Sequence, residues 1–368
     1  MRFISDVEAA IGPVIVAFIV AAIISLVLTP FVRWVVIRLG VVDRPEARRV
    51  NLVPVARGGG LAVAGAFLLV AVALLLINEQ TEILPIPVVF APNQVAALLV
   101  GGALAAGLGA TDDYFQLRAR WQLLGQFGLA IFAVALGIGI EFINNPFGPG
   151  AIRFGEPFVV GFTIFWIVGM INSINWIDGL DGLSSGIALI AAVTLGIISL
   201  TTQVAQPLIA VLCFALAGAL LGFLRWNSYP ATIFAGTSGV QFIGYTLAIL
   251  AVLGTAKVAV ALLVLGVPII DTFWIIVRRV IHGGSPFTPD RSHIHHRLLD
   301  LGLSHRQTVI VIYGVCAGLA VLALALSGAN QLYAFLGVFL VSGLVLFVPT
   351  RGSFRAEELD AESYRSDS

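Results

Sequence analysis

Eleven apolar windows of about 17 to 25 residues, each long enough to cross ~30 Å of hydrocarbon, leave this chain little choice of fold. They start near Pro13, Gly58, Gln94, Leu123, Phe158, Leu183, Pro207, Gly239, Lys257, Gln307 and Gln331. The window from Gly239 to Leu253 is short, and without it the number is ten. Only 11% of the 368 residues are charged, against roughly 25% in an average soluble domain. The expectation is an all-α polytopic membrane protein, with one transmembrane domain over residues 1–350 and a polar cytoplasmic tail over 351–368. Asp6 and Glu8 stand where a cleaved signal peptide carries basic residues, so the first window is expected to remain as a span.

Orientation follows from the basic residues. Seventeen of the twenty Lys and Arg fall in alternate connections: Arg33 to Arg57, Arg118 and Arg120, Arg225, Arg278 to Arg306, and Arg351 to Arg365. Arg2, Arg153 and Lys257 are on the other side. The positive-inside rule then puts the N-terminus outside and the C-terminus in the cytoplasm, as expected of a multi-pass protein of the cell (inner) membrane. The net charge is zero, so bulk electrostatics give no reason to expect a nucleic-acid partner. Cys213 and Cys316 lie inside apolar runs without a metal-ligand neighbour, and neither a disulfide nor a zinc thiolate site is expected.

Chemistry is concentrated on the inner face. The stretch Asn172-Ser-Ile-Asn175-Trp-Ile-Asp178-Gly-Leu-Asp181-Gly-Leu183 spaces two amides and two acids by three residues. On an α-helix three residues turn 300°, so Asp181 comes out about opposite Asn172. All four converge only where the backbone leaves the α conformation, and Gly179 and Gly182 supply that freedom, through a helix end unwinding into a polar loop or a short 3₁₀ turn. A glycine C-cap with solvated acids is the plainer alternative.

Other polar groups share that face. Asp112-Asp113 closes the third window, where acids oppose the helix macrodipole; adjacent residues point about 100° apart, so unless the helix has ended the two do different jobs, one able to bind a metal and the other to act on a proton. A solvated helix end is the plainer alternative. Asp271 lies seven residues, roughly 10 Å along a helix, before Arg278, and an intramembrane acid is costly unless functional or paired. Pro286 to Leu299 carries Arg291, His293, His295, His296 and Arg297. On a helix His293, His296 and Arg297 would share one face, with Arg291 and His295 on another. A zinc site is one reading, and a cationic clamp for phosphate oxygens fits the mixture of Arg and His better. Acids for a hard cation beside cations for phosphates suggest Mg²⁺ and a diphosphate substrate.

Asp112-Asp113, Asn172-x-x-Asn175-x-x-Asp178-Gly-Leu-Asp181-Gly-Leu, Pro268-Ile-Ile-Asp271-Thr and Pro286-Phe-x-Pro-Asp290-Arg-x-His293-x-His295-His296-Arg-Leu resemble the polyprenyl-phosphate N-acetylhexosamine-1-phosphate transferases, glycosyltransferase family 4. The resemblance runs from about Asp43 through the histidine loop and is nearest the bacterial undecaprenyl-phosphate GlcNAc-1-phosphate branch. It implies transfer of a hexosamine-1-phosphate from a UDP-N-acetylhexosamine to undecaprenyl phosphate with release of UMP, supported by Mg²⁺ or Mn²⁺, in cell-envelope polysaccharide synthesis. A homodimer is in keeping with the family. Phospho-MurNAc-pentapeptide transfer, or a non-catalytic relative that binds polyprenyl phosphate or nucleotide sugar, are the alternatives.

Carried over residue by residue, the resemblance implies catalytic roles for Asp112, Asp113 and Asp178, and metal ligation by Asp178, Asp113 and Asp181. Arg49, Asn172, Asn175, Asp181, Asp271, Arg291, His293, His295 and His296 would bind substrate. The family's Gly-Asp-x-Gly-Ser segment reads Gly236-Thr237-Ser238-Gly239-Val240 here, and its Lys and His in the first loop are Arg49 and Asn51. Thr237 removes one metal carboxylate; the other acids suffice for one divalent ion, so an active enzyme is expected.

Overall fold

A computed structural model describes residues 2–43, 54–81, 91–145, 147–148, 150–201, 206–254, 257–281 and 293–347. Thirteen helices are assigned among them. They are α1 (Arg2–Arg38), α2 (Gly60–Thr81), α3 (Pro92–Phe115), α4 (Ala119–Ala135), α5 (Glu156–Ile177), α6 (Leu183–Ser199), α7 (Pro207–Asn227), α8 (Gly236–Leu253), α9 (Lys257–Val264), α10 (Gly266–Ile281), α11 (Ile294–Asp300), α12 (His305–Ala325) and α13 (Ala329–Phe347). Each of the eleven apolar windows falls on helix. Seven helices, α1, α2, α3, α5, α7, α8 and α12, are long and apolar enough to cross a membrane. The ninth window is broken: α9 and α10 meet at 78° across Leu265, and together they make an eighth candidate span. The chain is thus an all-α polytopic membrane protein, with five very short strands among the described residues.

The window that is shortest in sequence, α8, forms the centre. Of its apolar stretch 94% is buried, against 22% for α1, and α8 packs on α3 and α5 with α2 and α6 also in contact. Small residues permit this approach, as between membrane helices generally. A Cβ on Gly109 of α3 would collide with the backbone of Thr237 and Ser238, and one on Gly60 with the backbone of Gly239. The first turn of α8 is therefore gripped from two sides.

A small sheet, which the apolar pattern does not announce, fixes the same place. β1 (Val42–Asp43) pairs antiparallel with β2 (Val55–Arg57), and β2 pairs parallel with β5 (Ile233–Phe234), setting Arg57 opposite Phe234. β5 leads directly into α8, so the register delivers the Arg57 guanidinium to the helix start. At the other end of the bundle β3 (Phe142–Asn144) and β4 (Ala151–Arg153) form a hairpin in the segment whose Asn, Pro and Gly content reads as a turn.

Candidate active site

The two adjacent acids at the end of α3 do different work, as their 100° separation requires. Asp113 accepts hydrogen bonds from Thr237 N (2.7 Å) and Ser238 N (3.0 Å) in the first turn of α8, and from Arg57 Nε (2.7 Å). Its charge opposes the dipole of its own helix but meets the positive end of the next, where unpaired N–H groups favour an anion. Asp112 turns the other way: Oδ1 accepts from Leu117 N (2.9 Å) and Gln122 Nε2 (2.8 Å), and Oδ2 from Thr237 Oγ1 (2.6 Å). Thr237 Oγ1 in turn accepts from Arg57 Nη2 at 2.8 Å.

The second set of acids lies where α5 ends. The helix stops at Ile177, Asp178 takes the cap with ψ near 53°, and Gly182 opens α6 with φ of 78°, a left-handed value that glycine adopts freely. The row of four thus unwinds into a loop rather than continuing as a 3₁₀ turn. Ser184 Oγ donates to Asp178 Oδ1, and Asp181 Oδ2 accepts from Ala231 N (2.9 Å). From α12, Asp181 N donates to His305 Nε2 (3.0 Å) and Tyr313 Oη donates to Gly182 O (2.6 Å). Asp178 keeps some accessible surface, yet its carboxyl is closely surrounded by protein. Burial pushes its pKa up to about 6; the charges of Asp113 and Asp181 push the same way, while Ser184 and Arg57 oppose.

Of the amides, Asn172 donates to Gln126 Oε1 (2.6 Å) on α4 and to Val168 O (2.8 Å) in its own helix rather than to either acid. The Asn175 side chain has no hydrogen-bond partner among the described residues and remains available to a ligand.

The histidines close the site. Asp271 Oδ2 is 2.7 Å from His293 Nδ1, and Asp271 Oδ1 accepts from Ile294 N (2.9 Å), so the buried acid of α10 anchors the start of α11. His293 occupies the N-cap with an extended ψ of 146° and leaves the helical wheel. The expected separation of His295 from His293 and His296 is accordingly not seen. The rings stand in a row instead, His293 to His295 at 5.4 Å between centroids and His295 to His296 at 4.4 Å. His295 is 1% exposed, and burial, with the neighbouring histidines adding repulsion, holds its pKa far below the usual value. It abuts Gly179: a Cβ there would collide with the imidazole. The histidine row and the Asp178–Asp181 turn are therefore one assembly.

Arg49 and Arg291 lie outside the described residues. Arg57, Ser184, Gln122 and His305 hold the site together but do not stand out in sequence. Only their polarity beside glycine-rich turns or at a helix start marks them, and that signal is weak.

Two carboxylate oxygens, Asp178 Oδ2 and Asp181 Oδ1, carry no hydrogen bond among the described residues. No group of three or more His, Cys, Asp or Glu there is placed to hold a metal by itself. Mg²⁺ commonly takes one or two carboxylates and completes its shell with waters and substrate phosphates, and the residues present fit that arrangement.

Residues 95–255 match the family model for glycosyl transferase family 4, a stretch that includes both acid pairs and Thr237. A Bacillus subtilis (strain 168) protein named as a probable undecaprenyl-phosphate N-acetylglucosaminyl 1-phosphate transferase is 36% identical over 341 residues, 91% of this chain and 90% of that one. The decaprenyl-phosphate N-acetylglucosaminephosphotransferase of Mycobacterium tuberculosis (strain ATCC 25618 / H37Rv) is 33% identical, over 89% and 87% of the two chains. The undecaprenyl-phosphate alpha-N-acetylglucosaminyl 1-phosphate transferase of Yersinia pestis is 31% identical, over 79% and 78%. With relatives this similar along most of its length, the chain belongs to glycosyl transferase family 4.

Proposed function

We propose that this chain transfers GlcNAc-1-phosphate from UDP-GlcNAc to a polyprenyl phosphate, undecaprenyl phosphate in the first instance, at the cytoplasmic face of the inner membrane. An oxygen of the lipid phosphate forms a bond to the sugar-bearing phosphorus, the bond from that phosphorus to the bridging oxygen breaks, and UMP leaves with the electron pair. The observation that carries this reading is the junction of the Asp178–Asp181 turn with the histidine row at Gly179 and His295. It sets free carboxylate oxygens beside imidazoles in a protein whose relatives bear transferase names.

Asp178 and Asp181 would hold Mg²⁺, which when bound neutralises phosphate charge during transfer. Asp113 has its oxygens engaged by N–H donors and Asp112 is tied to Thr237, and the partly open Arg57 guanidinium beside them would meet phosphate oxygens. His293 and His296 face the diphosphate, and Asn175 offers its amide to the nucleotide sugar. Eleven spans with the N-terminus outside would put these groups on the basic side of the membrane. No observation favours the phospho-MurNAc-pentapeptide alternative.

The test is incubation of the purified protein with Mg²⁺, undecaprenyl phosphate and UDP-GlcNAc, with UMP and lipid-linked sugar as readouts. Asp178→Asn should lose turnover by roughly 100-fold or more, the scale of removing a group that meets developing charge, with the fold intact. Absence of UMP with every divalent metal and UDP-hexosamine would overturn the proposal.

A further inference from the structure

We infer that the divalent cation enters this site with the nucleotide rather than ahead of it, because Thr237 and Arg57 have withdrawn the Asp112–Asp113 pair from metal binding. The inference rests on the transferase reading and concerns its order of binding.

Asp113 accepts from Thr237 N, Ser238 N and Arg57 Nε, and Asp112 from Leu117 N, Gln122 Nε2 and Thr237 Oγ1. Each acid oxygen thus already has a donor. The Arg57 guanidinium lies 2.7 Å from Asp113 and 3.9 Å from Asp112, so a divalent ion approaching either acid meets a fixed positive charge. A carboxylate at position 237 would give Arg57 an anionic partner of its own and add an oxygen to the cation's shell. The threonine hydroxyl instead donates to Asp112 and accepts from Arg57, joining the two.

The ligands left are Asp178 Oδ2 and Asp181 Oδ1. Mg²⁺ gives up water reluctantly and demands near-octahedral geometry. Two carboxylate oxygens alone do not retain it well, whereas a diphosphate that brings its own oxygens completes the shell. The species this protein recognises is therefore the metal–nucleotide complex.

Equilibrium dialysis of the full-length protein in nanodiscs, with Mn²⁺ as an oxygen-preferring stand-in read by its EPR signal, tests this with and without UDP. UDP supplies the diphosphate without a transferable sugar phosphate. The expected result is about one Mn²⁺ per chain with UDP and essentially none without it at the same free concentration, the signature of linked binding. Thr237→Asp should retain Mn²⁺ without UDP, tightened roughly 10- to 100-fold, the range seen when groups around a metal site are changed. Wild-type protein that holds Mn²⁺ equally tightly with and without UDP overturns the inference; if UMP is still released in the transfer assay, the transferase reading stands. No UMP together with no UDP-dependent metal overturns both. The wild-type comparison needs no variant, so a Thr237→Asp chain that fails to fold leaves the decision intact.

Discussion

At Asp178 the surroundings, more than the residue type, set the chemistry. Its carboxyl is raised to about 6 by burial, with two further acids adding to the shift, so without cation it gains its charge only as the pH rises through that value. If the charged form binds the metal–nucleotide, kcat/KM at low Mg²⁺ should fall below about pH 6, and more Mg²⁺ should move that limb to lower pH, since bound cation favours the carboxylate. A rate constant flat across this range would remove Asp178 from the metal site. Asp271 acts through a neighbour. Its contact with His293 Nδ1 fixes the ring, as a carboxylate orienting an imidazole does elsewhere, and on the proposed reading Nε2 would meet the substrate. Asp271→Asn should cost about 1.5–3 kcal/mol in kcat/KM, the value of a hydrogen bond to a charged group, and shift the His293 tautomer in ¹⁵N spectra. Unchanged spectra with lost activity would assign Asp271 a packing role.

Among the elements, the docking of α11 on the α5–α6 turn depends on the missing side chain at Gly179. Gly179→Ala should destabilise the protein by about 1–3 kcal/mol, the usual cost of overpacking, and slow UMP release. His295→Ala in the same chain makes room, so the double variant should be more stable than the sum of the single effects; simple additivity would deny the contact. This junction also shows what the sequence reveals. The spacing of Asn172, Asn175, Asp178 and Asp181 and the glycines between them announces a helix that unwinds into acids, and the structure has that break at Ile177. The partner of the break is not legible, because glycine spacing gives a backbone's freedom but not what will occupy the space. His293 likewise escapes the helical wheel because it caps α11 instead of belonging to it. The sheet pairs strands of two and three residues, too short for any alternation to register, and so the delivery of Arg57 to α8 is invisible until Val55–Arg57 and Ile233–Phe234 are seen side by side.

For the whole molecule, apolar side chains exposed along the helices, such as Val27 at 68%, Phe165 at 72% and Ile310 at 66%, are what a bilayer solvates and water does not. Between the β3–β4 hairpin and the end of α11, two elements decide the topology. α6 has 17 residues, about 26 Å at the helical rise, short of a ~30 Å core. The α9–α10 pair bends by 78°, which suits either one broken span or a re-entrant excursion. Between the β3–β4 hairpin and the turn after α11 the chain passes through α5, α6, α7, α8 and this bent pair. Five crossings put the hairpin and the turn on opposite sides; the loss of one puts them together. Phe147, 92% exposed in the hairpin, and Leu301, 77% exposed after α11, are suitable probes, because Cys213 and Cys316 are both wholly buried and give little background. Phe147→Cys should react with a membrane-impermeant maleimide in intact cells, and Leu301→Cys only after permeabilisation, following the basic residues on the inner side. Labelling of both from one side would mean that α6 or the bent pair does not cross, and the reverse pattern would place the acids and histidines on the outer face, away from a cytoplasmic nucleotide sugar.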